Sequence, residues 1–415
     1  MKVMILCGYL YEGIGQYFDR KEESFGGWVK GFMNGIRDYE DLDIHYAAVE
    51  KGKNQCITKT IDGITFHLVS YGDAAYLQSF LNDNPCDVYH LFGMENEFAE
   101  DIVPLLDYDK TLFYIQGIID EYKDYYLADY DRFHGANPLF KVYMYLNRRL
   151  FEKRGRTEKN IFRNARYIAG RTDWDKAYVE AEAPGIQYFK LNESLRDEFY
   201  QDHDGTPLWD ITGVNRHTIF VTQANYPVKS PHMIVEIVRL LKQKYPDVKC
   251  YIGGEDISSS TSLATKLGVS YASYIQKLIK QYGLQENIKY IGYLNAKDMV
   301  KQLCQSNVFL LASAIENSPN SLQEAMAVGV PCVSSFVGGV SSLVSSEKEC
   351  KLYPYNDPKQ AAYKISQIFA DDDLAGEMSL AGYQRIRKLI DIQANGKTLH
   401  DIYVKIDQDN KEDKS

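Results

Sequence analysis

Short apolar runs alternate with amphipathic stretches from one end of the chain to the other. Residues 2–6, 43–49, 63–69, 87–90, 111–115 and 166–169 read as buried strands, with helices over 26–38 and 172–182. A break in regularity at 201–207 continues through the turn at Gly213. The alternation then restarts with strands at 217–222, 248–252, 288–291, 308–311 and 332–334, separated by helices at 231–245 and 296–304. Two runs of strand–helix alternation joined by an irregular stretch predict an α/β protein with two doubly wound parallel sheets. In such sheets a ligand sits beyond the carboxyl ends of the strands, so two facing domains place it in a central cleft.

The chain has 415 residues and 45% hydrophobic content, enough for two such domains with full cores. Seven cysteines are scattered without a C-x-x-C pair, which reads as a reduced, cytoplasmic chain. Five apolar residues between Lys2 and Gly8 are too few for a signal-peptide core, and no apolar run reaches eighteen residues. A net charge of −10 argues against nucleic acid as a partner. The charge is uneven, however. Residues 141–171 hold ten Lys/Arg against Glu152 and Glu158, and Leu139, Tyr143, Leu146 and Leu150 recur there at helical spacing. That stretch fits either a basic amphipathic helix lying on anionic lipid, peripheral to the inner face of a membrane, or a core helix with a solvated polar edge. The polar residues 407–415 predict a disordered tail.

The most informative segment is Glu316-Asn-Ser-Pro-Asn-Ser-Leu-Gln-Glu324-Ala-Met-Ala-Val-Gly-Val-Pro331. Ser318 fits an N-cap and Pro319 the first helical position, and Gly329 with Pro331 closes the helix. The amides of Asn320, Ser321 and Leu322 are then left without intrahelical partners at the positive end of the dipole. Glu316 precedes the cap, and Glu324 lies one turn inside on the face of Asn320 and Ser321. Amides suited to phosphate, flanked by two acids suited to hydroxyls, describe a pocket for a phosphorylated sugar. No His/Cys/acid cluster at metal spacing accompanies it, so neither a metal nor another cofactor is expected.

The first strand runs into Gly13-x-Gly15, with Phe18 where a dinucleotide fingerprint needs its third glycine, which excludes that reading. Gly26-Gly27 at a helix start instead lets backbone approach a ligand closely.

The two acids with seven residues between them, the following Glu-Ala-Met-Ala-x-Gly-x-Pro, and then Gly338-Gly339 resemble the signature of retaining glycosyltransferases of the GT-B fold, in their large nucleotide-sugar-dependent family. The resemblance implies an acceptor-binding Rossmann-like domain over 1–205, completed by a crossover helix at about 390–406. It implies a nucleotide-sugar-binding domain over 206–389. Glu324 is then the acid that grips the ribose, and Glu316 contacts the transferred sugar. Lys229 pairs with the diphosphate, and the backbone of Tyr293 and Leu294 meets the base. Gly26 and Gly27 face the diphosphate and acceptor. Family members carry Gly after the lysine, where this chain has Ser230, and an arginine five or six positions before it, at Ala224 or Gln223 here. Arg171, just past a strand end, is the expected substitute cation. The family's histidines at two strand ends correspond to His90 and Gln116, and glutamine cannot serve as a base.

The function implied is transfer of a sugar from a nucleoside-diphosphate sugar, UDP-sugar favoured, to a glycan, glycolipid or lipid-linked acceptor, as in cell-surface polysaccharide synthesis. A non-catalytic nucleotide-sugar-binding scaffold and a UDP-sugar epimerase remain open beside it.

Overall fold

The computed structural model describes residues 1–20, 27–126 and 138–413. It divides into two compact units. Unit 1 comprises Met1–Asp120, Glu152–Arg196 and Leu389–Ser415, and unit 2 comprises Glu121–Phe151 and Asp197–Lys388. The sequence reading put 121–151 in the first domain, and the described residues of that stretch cluster with unit 2. The helix Pro138–Asn164 has 27 residues and runs for roughly 40 Å.

Unit 1 contains β1 (Lys2–Cys7), β2 (Asp43–Lys51), β3 (Cys56–Ile61), β4 (Ile64–Tyr71), β5 (Val88–Phe92), β6 (Thr111–Tyr114), β7 (Tyr167–Gly170) and β8 (Gln187–Lys190). Their order across the sheet is β3-β4-β2-β1-β5-β6-β7-β8. Every pairing is parallel except β3 with β4, a hairpin turned at Asp62-Gly63, where both residues have positive φ. β1 shows why its sequence carries no polar alternation. Val3, Ile5 and Cys7 enter the core on one face, and Met4 and Leu6 the core on the other.

Unit 2 contains β9 (Asn215–Val221), β10 (Lys249–Gly253), β11 (Ile288–Gly292), β12 (Ser306–Leu311), β13 (Cys332–Ser335) and β14 (Lys351–Tyr353). These form an all-parallel sheet in the order β11-β10-β9-β12-β13-β14. Each sheet thus has one point where the strand order reverses: between β1 and β5 in unit 1, and between β9 and β12 in unit 2. Crevices open at such points because the flanking loops leave in opposite directions.

The last helix runs from Ile392 to Glu412, so the expected disordered tail is helical through its described residues. Its end is anchored. Asn410 donates to the carbonyl of Asp109, and Tyr167 donates to Asp409 at 2.9 Å. The helix packs on Gly27–Ile36 through a glycine contact, since a Cβ on Gly35 would meet the Ile392 carbonyl at 2.9 Å. Gly396 faces Gly35 there, and two residues without side chains let the two backbones come that close. No helix among the described residues is long and apolar enough to cross a membrane.

In space, the basic stretch 141–171 meets acids distant in sequence. Arg148 pairs with Asp124 at 3.0 Å, Lys153 with Glu100 at 2.7 Å, Lys159 with Asp120 at 2.7 Å and Arg163 with Glu182 at 3.2 Å. Of the apolar stripe, Leu146 is about half exposed and so is not core, as are Val142 and Tyr145 beside it. The side chains of Leu139, Tyr143 and Leu150 lie outside the described residues.

Candidate functional site

β9 ends at Val221, and the chain then turns through Gln223, Ala224 and the short helix Pro227–Lys229 before the helix Pro231–Lys242. Lys229 sits at the end of that turn. Ser230 follows with φ 52° and ψ 48°, the left-handed region that L side chains avoid. Its hydroxyl donates to the carbonyl of Pro227 at 3.2 Å, and the whole residue is buried. This is the position where the resembling family has glycine. The serine keeps the conformation and pays for it with a local hydrogen bond.

β12 ends at Leu311, and the loop to the helix Asn320–Val328 carries Glu316. Glu316 is 7% exposed and its Oε1 accepts from the Lys229 ammonium. Burial works against the charged lysine, but Glu316 outweighs it and holds the ammonium above the usual lysine range. Gly338 and Gly339, just beyond β13, close over the backbone of Glu316: the Gly339 amide donates to its carbonyl at 3.0 Å.

The helix begins one residue later than its sequence implies. Pro319, with ψ 112°, is the N-cap, and no side chain caps the helix. Ser318 lies one residue before that cap, and its hydroxyl accepts from the Gln323 side-chain amide, 3.3 Å away. The amides of Asn320 and Ser321 consequently donate to nothing among the described residues. The Leu322 amide is a correction: it donates to the Pro319 carbonyl at 3.1 Å, and its side chain is fully buried. The tight first turn takes that donor out of reach of a ligand.

Lys229, Glu316, Asn320 and Ser321 line one cavity of about 220 Å³, walled by Val221–Gln223 from the end of β9 and by Leu310–Ser313 from the end of β12. The cavity lies at the switch point of unit 2. Glu324, half-buried, stands one turn further along the same helical face as Asn320. Tyr293 and Leu294 follow β11, two strands away from β9 in the same sheet, and Tyr293 is 69% exposed. They are outside the cavity itself. Gln223, at the place of the missing arginine, lines it and donates to Asn225 at 3.1 Å.

The unit 1 candidates fare differently. His90 does not end its strand but lies in the middle of β5, fully buried. Its ring stacks on Phe92 at 4.0 Å, its Nδ1 is 2.6 Å from the Tyr403 hydroxyl, and burial pushes its pKa down to about 3. A neutral core histidine with no solvent access is not an acid or base for a substrate, so the catalytic assignment is withdrawn. Arg171 is 5% exposed and locked to Glu193 at 2.6 Å, while its second nitrogen donates to the Gln116 carbonyl at 2.6 Å. Gln116 itself donates to Glu193 at 2.5 Å. The expected substitute cation is therefore the centre of a buried structural network. Its charge is already neutralised by a carboxylate that cannot be left unpaired. Gly27 opens the helix Gly27–Ile36, and Gly26 lies outside the described residues.

One group escaped the sequence reading. Glu95 stands in the loop after β5, two residues past Gly93 with φ 82°. Its Oε2 is buried without a hydrogen-bond partner among the described residues, and burial raises its carboxyl to about 7. A strand end followed by a left-handed glycine and an acid was the available signal.

Residues 213–385, which hold the whole cavity of unit 2, match the family model for glycosyl transferases group 1. The chain carries a group 1 glycosyltransferase domain. A putative glycosyltransferase of Bacillus subtilis, YtcC, is 23% identical over 290 residues, 65% of this chain and 68% of that protein. The putative colanic acid biosynthesis glycosyltransferase WcaL of Escherichia coli is 30% identical over 160 residues, covering 35% of this chain and 39% of WcaL. Among solved structures, sucrose-phosphate synthase of Thermosynechococcus elongatus superposes with a TM-score of 0.68 at 15% identity, over 98% of this chain and 99% of that one. Anabaena HepE, solved with UDP and glucose, gives 0.67 at 12% identity over 98% and 100%. The two parallel-sheet, Rossmann-like units of this chain are those of the GT-B fold.

Proposed function

We propose that this protein is a retaining glycosyltransferase that moves a sugar from a nucleoside-diphosphate sugar to a hydroxyl of a glycan or glycolipid, in cell-surface polysaccharide or glycoconjugate synthesis. One observation carries the reading: the two unpartnered amides, a lysine and a carboxylate converge on a single cavity at the switch point of unit 2. The names of similar proteins support it, since HepE was solved with UDP-glucose and WcaL is described by colanic acid biosynthesis.

The diphosphate of the donor accepts hydrogen bonds from the amides of Asn320 and Ser321, at the positive end of the helix dipole. Lys229 shares its ammonium between Glu316 and the leaving phosphate, countering charge as the glycosidic bond breaks. Glu316 accepts hydrogen bonds from hydroxyls of the transferred sugar, and Glu324 from the ribose. The acceptor oxygen bonds to the anomeric carbon on the face the phosphate leaves, and its proton passes to the departing phosphate oxygen. Backbone amides and Lys229 supply the positive charge, so the reaction runs without a divalent metal. With Gln223 in place of an arginine, Lys229 is the cation lining this cavity among the described residues.

The test is nucleotide release from a panel of UDP- and GDP-sugars, with and without mixed glycan acceptors, followed by NMR of the product anomer. Binding of UDP without turnover of any donor favours the scaffold reading, and an inverted anomer overturns the mechanism.

A further inference from the structure

The switch point of unit 1 holds a second and larger cavity, of about 760 Å³. Its walls come from the carboxyl ends of β1, β2 and β4 and from the loop after β5, the region where open α/β sheets bind ligands. The lining is charged and aromatic rather than apolar. Arg20 pairs with Glu50 at 3.2 Å, and Arg154 with Glu97 at 2.7 Å. Lys51 is exposed and has no ion-pair or hydrogen-bond partner among the described residues. Tyr9 and Tyr71 line the same wall.

Among the described lining residues, three cations thus face two acids. The two arginine pairs are solvent-accessible, with side chains between 33% and 58% exposed, and such pairs contribute only about 0–1 kcal/mol. An anion entering the cavity competes for these guanidiniums at little cost and gains bidentate hydrogen bonds. It also neutralises the surplus charge at Lys51. The two glutamates remain as acceptors for hydroxyls, and tyrosine rings stack on sugar faces. Hydroxyl acceptors, lining tyrosines and an excess of one cation among the described lining residues together fit a charged sugar better than a neutral one.

We infer that this cavity binds a saccharide bearing an anionic group, carboxylate or phosphate, and that this saccharide is the acceptor. Its role as acceptor rests on the transferase reading above; its binding chemistry does not. Calorimetric titration of the full chain with trigalacturonate, glucose 6-phosphate and maltotriose tests it. At least one charged probe saturates and binds at least tenfold more tightly than maltotriose. The tighter of the two identifies the anion. The double variant Arg20→Ala/Lys51→Ala weakens the charged probe at least tenfold, with an unchanged melting temperature and unchanged UDP affinity. Equal binding of maltotriose, no binding of either charged probe, or a double variant that binds as well as the parent overturns the inference. UDP titrated in parallel reads the unit 2 cavity separately, so loss of UDP binding beside intact anion binding sinks the transferase reading alone.

Discussion

A Cβ placed on Gly338 would collide with the carbonyl oxygen of Glu316. Gly338 also has φ 46°, and its neighbour Gly339 hydrogen-bonds the same carbonyl. Two segments more than twenty residues apart are thus one device: the glycine pair presses on the loop that aims Glu316 at Lys229. Replacing Gly338 with alanine forces that loop outward. The expected result is a stability loss of about 1–3 kcal/mol from overpacking and strain, together with at least a hundredfold fall in kcat/KM. Chemical denaturation and donor turnover measure the two effects. Full turnover in Gly338→Ala would show that Glu316 is not positioned by this contact.

The Lys229–Glu316 pair makes its own prediction. Lys229→Met removes the cation that faces the leaving phosphate and lowers kcat by roughly 10²–10³-fold, the range for loss of one preorganised electrostatic contact. Glu316→Gln keeps the shape but weakens the grip on the sugar, so KM for the donor rises while UDP affinity stays near that of the parent. A Lys229→Met enzyme within threefold of the parent kcat would remove the lysine from the mechanism. EDTA leaves parent turnover unchanged; loss restored by magnesium would show that a metal shares the task.

Ser230 offers a conformational test. Glycine adopts its left-handed backbone freely, so Ser230→Gly stays within about 1 kcal/mol of the parent. Valine cannot adopt φ near 52° without clash, and Ser230→Val loses about 2–3 kcal/mol. Equal melting curves for the two variants would mean that the turn relaxes elsewhere.

His90 governs part of the acid response. Burial holds it neutral with a folded pKa of about 3, against about 6.5 in the unfolded chain. A histidine with a depressed folded pKa contributes fully above about pH 6.5, and its contribution falls away as pH drops toward 3. His67, 2% exposed and depressed to about 4 by burial beside His45, adds to the same loss. His90→Asn retains an acceptor for Tyr403 but does not titrate. It therefore shows a shallower fall in unfolding free energy between pH 6.5 and 4, with donor turnover within threefold of the parent. A hundredfold loss of turnover would restore His90 to the reaction.

Most of the strands were readable because each strand of a parallel sheet is apolar on both faces and each helix on one. The runs at 2–6 and 288–291 differ from β1 and β11 by a single residue at one end. β3 was not readable. Its burial alternates weakly, and an antiparallel edge strand exposes most of its side chains. The helix 392–412 outran its prediction because Asp409 and Asn410 look like a solvated tail until Arg166 and Tyr167 partner the first and the Asp109 carbonyl accepts from the second.

The site divides in the same way. Glu316, Asn320 and Ser321 were legible because helix-start chemistry is local: a proline, a free amide and a flanking acid lie within a few residues of one another, whereas Lys229 came from the family resemblance. Whether His90 sees solvent and whether Arg171 has a charge to spare depend on partners far away in sequence. The hydroxyl of Tyr403 settles the first and the carboxylate of Glu193 the second, while the Leu322 amide is lost to a neighbour three residues back, the carbonyl of Pro319. The amino-acid order alone specified the alternating elements and the anion-seeking turn, since both follow from interactions within one or two helical turns or along one strand. Packing alone decided which polar groups stayed available, because burial and long-range pairing consume a charge without leaving any mark on its neighbours in the chain.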